Sequence, residues 1–553
     1  MNAYEERLRS KNLLHILQNR ESGYHPIGPG AKFRDIDFYH CITPNLTVDC
    51  AVPNVFIRKF TPDGSKLLAF SHDQRSLHVY KYKGISSARL GHLMQAAKVG
   101  TSEYFTGNDN SSSSRLTNTI FDEIFDTTDC LKLRLCQGDS VRYYLHREFS
   151  IFLEDGRYVL LAAICMTNGA IATRDYIRYP DLFDKLDAFS YIFYVVDLVQ
   201  GLITDTLSLP QDSIQIPHNY GVSVVGSAVA IMSRLYQCIY MYELVDGRLI
   251  KQETIGPRPR DLNDQPMDIG VLDVTTLLPI THIKQRVLSF LYRQIDANGA
   301  QASQNYQTFN KNFEFIEHMV LEKMQLINND LLLLRYEEMP KDSDITPILA
   351  LVDPPTPRRL HVFYTIESEE VVAVYHDDSV ELLQIVLHFY DQMSNVRSLQ
   401  TGDAPSSPTH YLLKQNVVNV QKASQNFMRQ AALRFNPSIP VSTQAYTTSP
   451  YLRYDIFNYD DRLISPSERP KACSSEPIVF RERSTNRVKF RLNVKARMQN
   501  AHLAQRELCA FICHPFEPFI ISIQKMMHTY SYRMHFYNHS TIVTQCDCKS
   551  VPK

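Results

Sequence analysis

From about residue 36 onward, short apolar runs alternate with tight polar turns, a spacing that fits antiparallel strands better than helices. Val55–Phe60 reads as a strand, Thr61-Pro62-Asp63-Gly64 as a turn and Lys66–Ser71 as a second strand. His72-Asp73-Gln74-Arg75 turns the chain again into a third strand over 77–82. Proline presets φ at such turns, and glycine supplies the positive φ that a tight reversal requires. The unit recurs at 149–153 and 158–164 around Glu154-Asp155-Gly156-Arg157, and at 191–198 and 202–209 around Gln200-Gly201. It returns in a strand over 222–232, then 238–244, Asp246-Gly247 and 249–254. Strands are expected again at 478–481 and 488–494, and finally at 508–513, 519–524 and 532–537 around His514-Pro515-Phe516-Glu517-Pro518. A degenerate strand-turn-strand repeat of imprecise period predicts an all-β-dominated β-propeller, with a sandwich or several β domains as the alternative. One blade-like unit lies near each end. A ring requires those ends to meet, because closure removes the open edges of an all-β fold.

Three segments break the strand texture. Residues 4–20 carry Leu8, Leu13, Leu14, Ile16 and Leu17 on one helical side, with Arg7, Arg9, Lys11 and Arg20 largely opposite. Gly23, Pro26 and Gly28-Pro29-Gly30 separate this amphipathic helix from the strands, so its apolar side must fold back or dock in a partner's groove. Asp378, with Glu381 three residues on, predicts a capped helix containing Leu382, Leu383, Ile385 and Val386, and 411–435 predicts a basic one. The serine-rich stretch inside 94–118 predicts a disordered insertion. The expected organisation is a helical docking segment over 1–30 and a propeller over 36–540. That propeller is interrupted at 94–118 and by helices at 378–436, and a tail follows over 541–553.

Composition narrows the function classes. The 58 Lys+Arg and 59 Asp+Glu nearly cancel, which excludes a polybasic protein at whole-chain level but not a local patch. There are only 19 glycines in 553 residues, about half the usual share of roughly 7 %. The chain contains no G-x-G-x-x-G, G-x-x-x-x-G-K-S/T, H-E-x-x-H or G-x-S-x-G sequence, so no catalytic residue or cofactor is expected. Cys509, Cys513 and His514 have a spacing that could hold a metal, but they sit in an apolar strand and a proline-rich turn. Structural thiols are therefore expected, and no metal. The 11 cysteines read as reduced thiols, the charged N-terminus does not read as a signal peptide, and the apolar run 222–232 is too short to span a membrane. Arg481, Arg483, Arg487, Lys489 and Arg491 form a basic stripe. It is either a solvated strand face or a contact for phosphate or an acidic surface.

The chain also resembles the de-etiolated-one homolog family, regulators of cullin-RING ubiquitin ligases. The resemblance is carried by Arg58-Lys59-Phe60-Thr61-Pro62-Asp63-Gly64, by Ala69-Phe70-Ser71 with Asp73-Gln74 and Ser76-Leu77, and by Ser449-Pro450-Tyr451-Leu452. Glu468-Arg469-Pro470-Lys471 with Cys473, and His514-Pro515-Phe516-Glu517-Pro518-Phe519, complete it in order along the chain. Asn12, Leu13, Leu14, His15, Leu17 and Arg20 match that family's N-terminal run. The resemblance implies an atypical WD-type β-propeller with an N-terminal helical extension and an inserted helical segment. It implies a non-catalytic adaptor that binds the damaged-DNA-binding protein subunit one type adaptor of cullin-four through residues 12–20. The implied companions are a small accessory subunit, a ubiquitin-conjugating enzyme and a constitutive-photomorphogenesis-type RING ligase. The expected location is the nucleus with a cytoplasmic pool, without membrane or direct nucleic-acid contact. A chromatin- or nucleic-acid-binding propeller using the basic stripe is the alternative.

Overall fold

The computed structural model describes residues 46–50, 52–84, 120–136, 143–165, 187–256, 282–296, 318–338 and 357–388, residues 313 and 316, and shorter stretches between 428 and 536. The chain enters on β1 (Leu46–Cys50). A first sheet follows as β2 (Val55–Phe60), β3 (Lys66–Ser71), β4 (Ser76–Tyr82) and β5 (Phe125–Arg134). The second holds β6 (Tyr143–Leu145), β7 (Ile151–Leu153), β8 (Tyr158–Cys165), β9 (Phe189–Asp197) and β10 (Leu202–Asp212). The third is β11 (Val222–Val225), β12 (Ala228–Ser233), β13 (Cys238–Val245) and β14 (Arg248–Ile255). Helix α1 (Ile283–Asp296) precedes the fourth sheet, β15 (Met319–Leu326), β16 (Leu331–Glu338), β17 (Arg359–Thr365) and β18 (Glu370–His376). After α2 (Val380–His388) comes a fifth sheet of β19 (Phe457–Asn458), β20 (Ile478–Glu482) and β21 (Val488–Leu492). The sixth is β22 (Lys495–Arg497), β23 (Gln505–Cys513), β24 (Phe519–Met526) and β25 (Thr529–Phe536), with β1 from the start of the chain as its outer strand.

Every one of these pairings is antiparallel, and in the inner strands successive side chains face alternate neighbouring sheets. In β3, Leu67 and Ala69 pack with Phe519 and Ile521 of the sixth sheet, while Leu68 and Phe70 pack with Val159 and Leu161 of the second. In β8, Leu160 and Ala162 turn instead to the third sheet. In β12, Val229 and Ile231 face the second sheet, and Ala230 and Met232 face the fourth. Burial on both faces explains why these strands read as continuous apolar runs. Hydrogen bonds cross the same seams: Leu326 N–H donates to Ser223 Oγ and Leu321 N–H to Gln237 Oε1, each at 2.9 Å. The ends meet in register, Leu46 opposite Phe536 through Cys50 opposite Tyr532. The sixth, first, second, third and fourth sheets stack face to face in that order, with the first strand completing the sixth, which is the arrangement of a β-propeller.

The structure corrects three expectations. The run 222–232 is two strands, β11 and β12, reversed at Gly226 with φ +58°; both are buried, so only Gly226 and Ser227 punctuate the apolar run. Helix α2 is capped by Ser379, whose Oγ accepts the Leu382 N–H at 3.2 Å, whereas Asp378 pairs with Arg429 at 2.6 Å. The strand expected over 488–494 ends at Leu492, and β22 joins the next sheet. The fourth sheet, β1, β5 and α1 had no sequence-based expectation. The segments 1–30, 94–118 and 541–553 lie outside the described residues, as does most of 411–435.

Candidate functional site

Two of the motif segments meet where the ring closes. The turn after β2 places Gly64 at φ +68°, and His514, buried at 1 % exposure, donates from Nε2 to the Gly64 carbonyl at 3.1 Å. The His514 ring lies 4.9 Å from both Phe60 and Tyr82, and Tyr532 donates its hydroxyl to the Val55 carbonyl at 3.1 Å. His514 is thereby a clamp between the first and sixth sheets, and Cys513 beside it is half-buried. The Cys509 side chain, Cys546 and Cys548 lie outside the described side chains.

A second convergence surrounds Glu148, at the start of the second sheet. Arg58, only 2 % exposed, donates to the Glu148 carbonyl at 2.8 Å, and Lys471 pairs with its carboxylate at 3.1 Å. Lys59 donates to the Ser150 carbonyl at 2.7 Å, and Asn219 brackets the same backbone from the third sheet's side. Arg58 and Lys471 belong to different motifs yet hold one residue. The sequence signal for Arg58 was a cation inside an apolar strand; Glu148 carried none.

The densest group of ionisable side chains crosses the fourth sheet. His361 Nε2 donates to Asp377 at 2.9 Å, Arg359 joins Asp377 and Glu337 at 3.2 Å each, and Arg335 joins Glu337 at 3.1 Å. Burial keeps the His361 ring below its ordinary value although Asp377 pulls it upward. Burial also raises the Asp377 carboxyl, but His361 and Arg359 outweigh it and leave it lowered. Asp212 lies fully inside the second sheet's seam, where burial pushes it up to about 6 despite donors from Ser233, the Ser213 backbone and Tyr240. The first group links neighbouring strands of the fourth sheet, leaving Arg335 Nε and His361 Nδ1 without a partner among the described residues, and Asp212 ties the second sheet to the third. Among the described residues no cluster of three or more His, Cys, Asp or Glu could hold a metal ion.

Of the basic stripe, Arg481, Arg487 and Arg491 are exposed on the β20–β21 hairpin, while Ile478, Phe480 and Leu492 are buried beneath it. Arg481 donates to the Asn486 carbonyl at 3.2 Å, and among the described residues none of the three forms an ion pair. The side chains of Arg483 and Lys489 lie outside the described set, as do Asn12, Leu13, Leu14, His15, Leu17 and Arg20.

Against known proteins, the model of the family described as De-etiolated protein 1 Det1 matches residues 147–538. The chain is 23 % identical over 550 residues to Light-mediated development protein DET1 of Arabidopsis thaliana, covering 90 % of this chain and 94 % of that protein. To the protein of the same name from Solanum lycopersicum it is 24 % identical over 518 residues, covering 89 % and 92 %. Among solved structures, the β-propeller domain of Cps50 (Swd1) from Myceliophteria thermophila is similar at 7 % identity, 88 % and 98 % coverage and a TM-score of 0.31, too low to bear on the fold. With Glu148, Lys471 and His514 inside a matched span that covers most of the sequence, the chain belongs to the De-etiolated protein 1 (Det1) family.

Proposed function

We propose that the protein is a non-catalytic adaptor or scaffold subunit of a cullin-four RING ubiquitin ligase, helping to direct transcription factors to ubiquitination and proteasomal degradation. The observation that carries this reading is family membership over residues 147–538. Buried Arg58, Asp212 and His514, each engaged across a seam between sheets, support a platform. In this reading Leu13, Leu14 and Leu17, flanked by Asn12, His15 and Arg20, dock in the damaged-DNA-binding protein subunit one type adaptor, which connects to cullin-four. The small accessory subunit, a ubiquitin-conjugating enzyme and a constitutive-photomorphogenesis-type RING ligase assemble on the same body, chiefly in the nucleus. Deleting residues 1–22, or combining Leu13→Asp with Leu17→Asp, abolishes co-purification with the adaptor while the circular-dichroism spectrum stays unchanged. Retained binding by either variant rejects the docking segment.

The exposed Arg481, Arg487 and Arg491 favour one second reading, a chromatin or nucleic-acid contact. It requires DNA affinity that falls steeply with salt and with charge reversal at those arginines. Salt-independent or absent binding rejects it.

A further inference from the structure

Cations placed directly opposite one another on a sheet repel, and a buried donor without an acceptor costs free energy. The fourth sheet contains both on one face. Lys323 on β15 is the register partner of Arg335 on β16, which in turn faces His361 on β17. Gln325, two residues beyond Lys323, shares that face. Its Nε2 has no partner although the residue is 1 % exposed, and neither does Arg335 Nε. The remaining Arg335 nitrogens are committed to the Pro437 carbonyl at 2.7 Å and to Glu337. Lys323 is half-buried, its ammonium 3.7 Å from the centre of the Tyr220 ring, and among the described residues it meets no carboxylate. Its neighbour Glu322, the residue displaced by the bulge between Leu321 and Lys323, is taken by Arg234 at 2.6 Å. Sheet geometry then puts two buried donors without a partner and one ammonium without a carboxylate roughly 5–8 Å apart between Cβ atoms.

We propose that Lys323, Gln325 and Arg335 form a binding site for one small tetrahedral oxyanion, a phosphate or sulfate group. An oxyanion of this kind presents several acceptor oxygens and a charge that offsets the Lys323–Arg335 repulsion; a neutral ligand supplies no such charge. Arg359, His361, Glu322, Glu337 and Asp377 complete the charged surroundings, all already paired with one another or with Arg234 and Arg335. Burial, and then Arg335, lower the Lys323 amine to about 7 despite Glu322 and Glu337. An anion at the site therefore draws a proton onto it.

The test is calorimetric titration of the full chain with sodium sulfate, using sodium chloride at matched ionic strength as the control. Sulfate keeps its charge from about pH 6.5 to 8.5, so any pH dependence belongs to the protein. Saturable heat with sulfate and not with chloride is expected, weakened by roughly tenfold or more in Lys323→Met and by roughly threefold in Gln325→Leu. Binding of the unmodified chain weakens as pH rises through that range, and binding of Lys323→Met does not. Lys323→Met removes one of two opposed cations, so it keeps the fold; its melting point without sulfate checks this. Inorganic phosphate binds with the same variant dependence, and O-phosphoserine in place of phosphate reports whether an esterified group also enters. Heat that is equal for sulfate and chloride, or unchanged by Lys323→Met, overturns the site and leaves ordered water as the partner of these donors.

Discussion

Gly64 is constrained twice over, once by its own φ of +68° and once by a residue far along the chain. A Cβ there would sit 2.6 Å from His514 Cε1 and 2.7 Å from Nε2. Gly226 has a similar φ of +58°, but nothing lies within 4 Å of the corresponding position. The pair separates backbone strain from steric conflict. Gly226→Ala costs about 1 kcal/mol, whereas Gly64→Ala costs about 2–4 kcal/mol because the ring must leave the Phe60–Tyr82 slot. Thermal midpoints of the two variants check this, and equal losses refute the clamp. Asp212 supplies a pH prediction at the same scale. Its folded value, about 6, lies above the ordinary 3.8, so its stabilising contribution is complete below 3.8 and is lost as pH rises through 6. Asp212→Asn retains an acceptor for Ser213 and Ser233 without the buried charge. At about pH 8 it gains on the order of 2 kcal/mol over the unmodified chain, and the gain disappears near pH 4. A gain that is the same at both pH values rejects the assignment.

At the scale of elements, the Glu148 junction contains two contacts of unequal weight. The Lys471–Glu148 pair is partly open to solvent, at 35 % and 31 %, so Lys471→Ala costs less than about 1 kcal/mol. Arg58 is almost fully buried between the first and second sheets, and Arg58→Ala strips donors from a closed interior, costing roughly 2–4 kcal/mol. Denaturation of both variants ranks them, and a larger loss at Lys471 contradicts the burial argument. Element type was legible wherever a turn carried its own chemistry. Thr61-Pro62-Asp63-Gly64 and Asp246-Gly247 were both read correctly, and φ of +49° and +77° at the second explains why. Gly226 was not read, because buried strands on both sides of it produce the same unbroken apolar string as one long strand. The fourth sheet escaped because Asn328–Asp330 offers no glycine or proline at its first turn. The convergence on Glu148 was invisible because its holders lie 90 and 323 residues away in the chain.

At the scale of the whole molecule, ring closure and the proposed partner docking call on adjacent parts of the N-terminal region and can be separated by truncation. Strand β1 covers the outer edge of β25 over five residue pairs, from Leu46–Phe536 to Cys50–Tyr532. An uncovered edge offers free N–H and C=O groups to any other chain, so its loss exposes the sixth sheet to intermolecular pairing. In the proposed arrangement residues 12–20 make no such pairing, and their apolar side serves a partner. Removing residues 1–22 therefore leaves the melting point within about 1 °C of the full chain, since every described strand of the ring is kept. Removing residues 1–50 deletes β1, lowers the melting point by several degrees (about 2–4 °C per kcal/mol lost) and promotes aggregation on heating. A melting scan with light scattering reads both effects on the same samples. Equal melting of the two truncations shows that β1 does not close the ring, and a large loss already at residue 22 shows that the helix belongs to the body, not to a partner. Only the combination of an intact ring and lost adaptor binding in the shorter truncation satisfies the proposed division of the chain into a docking arm and a closed platform.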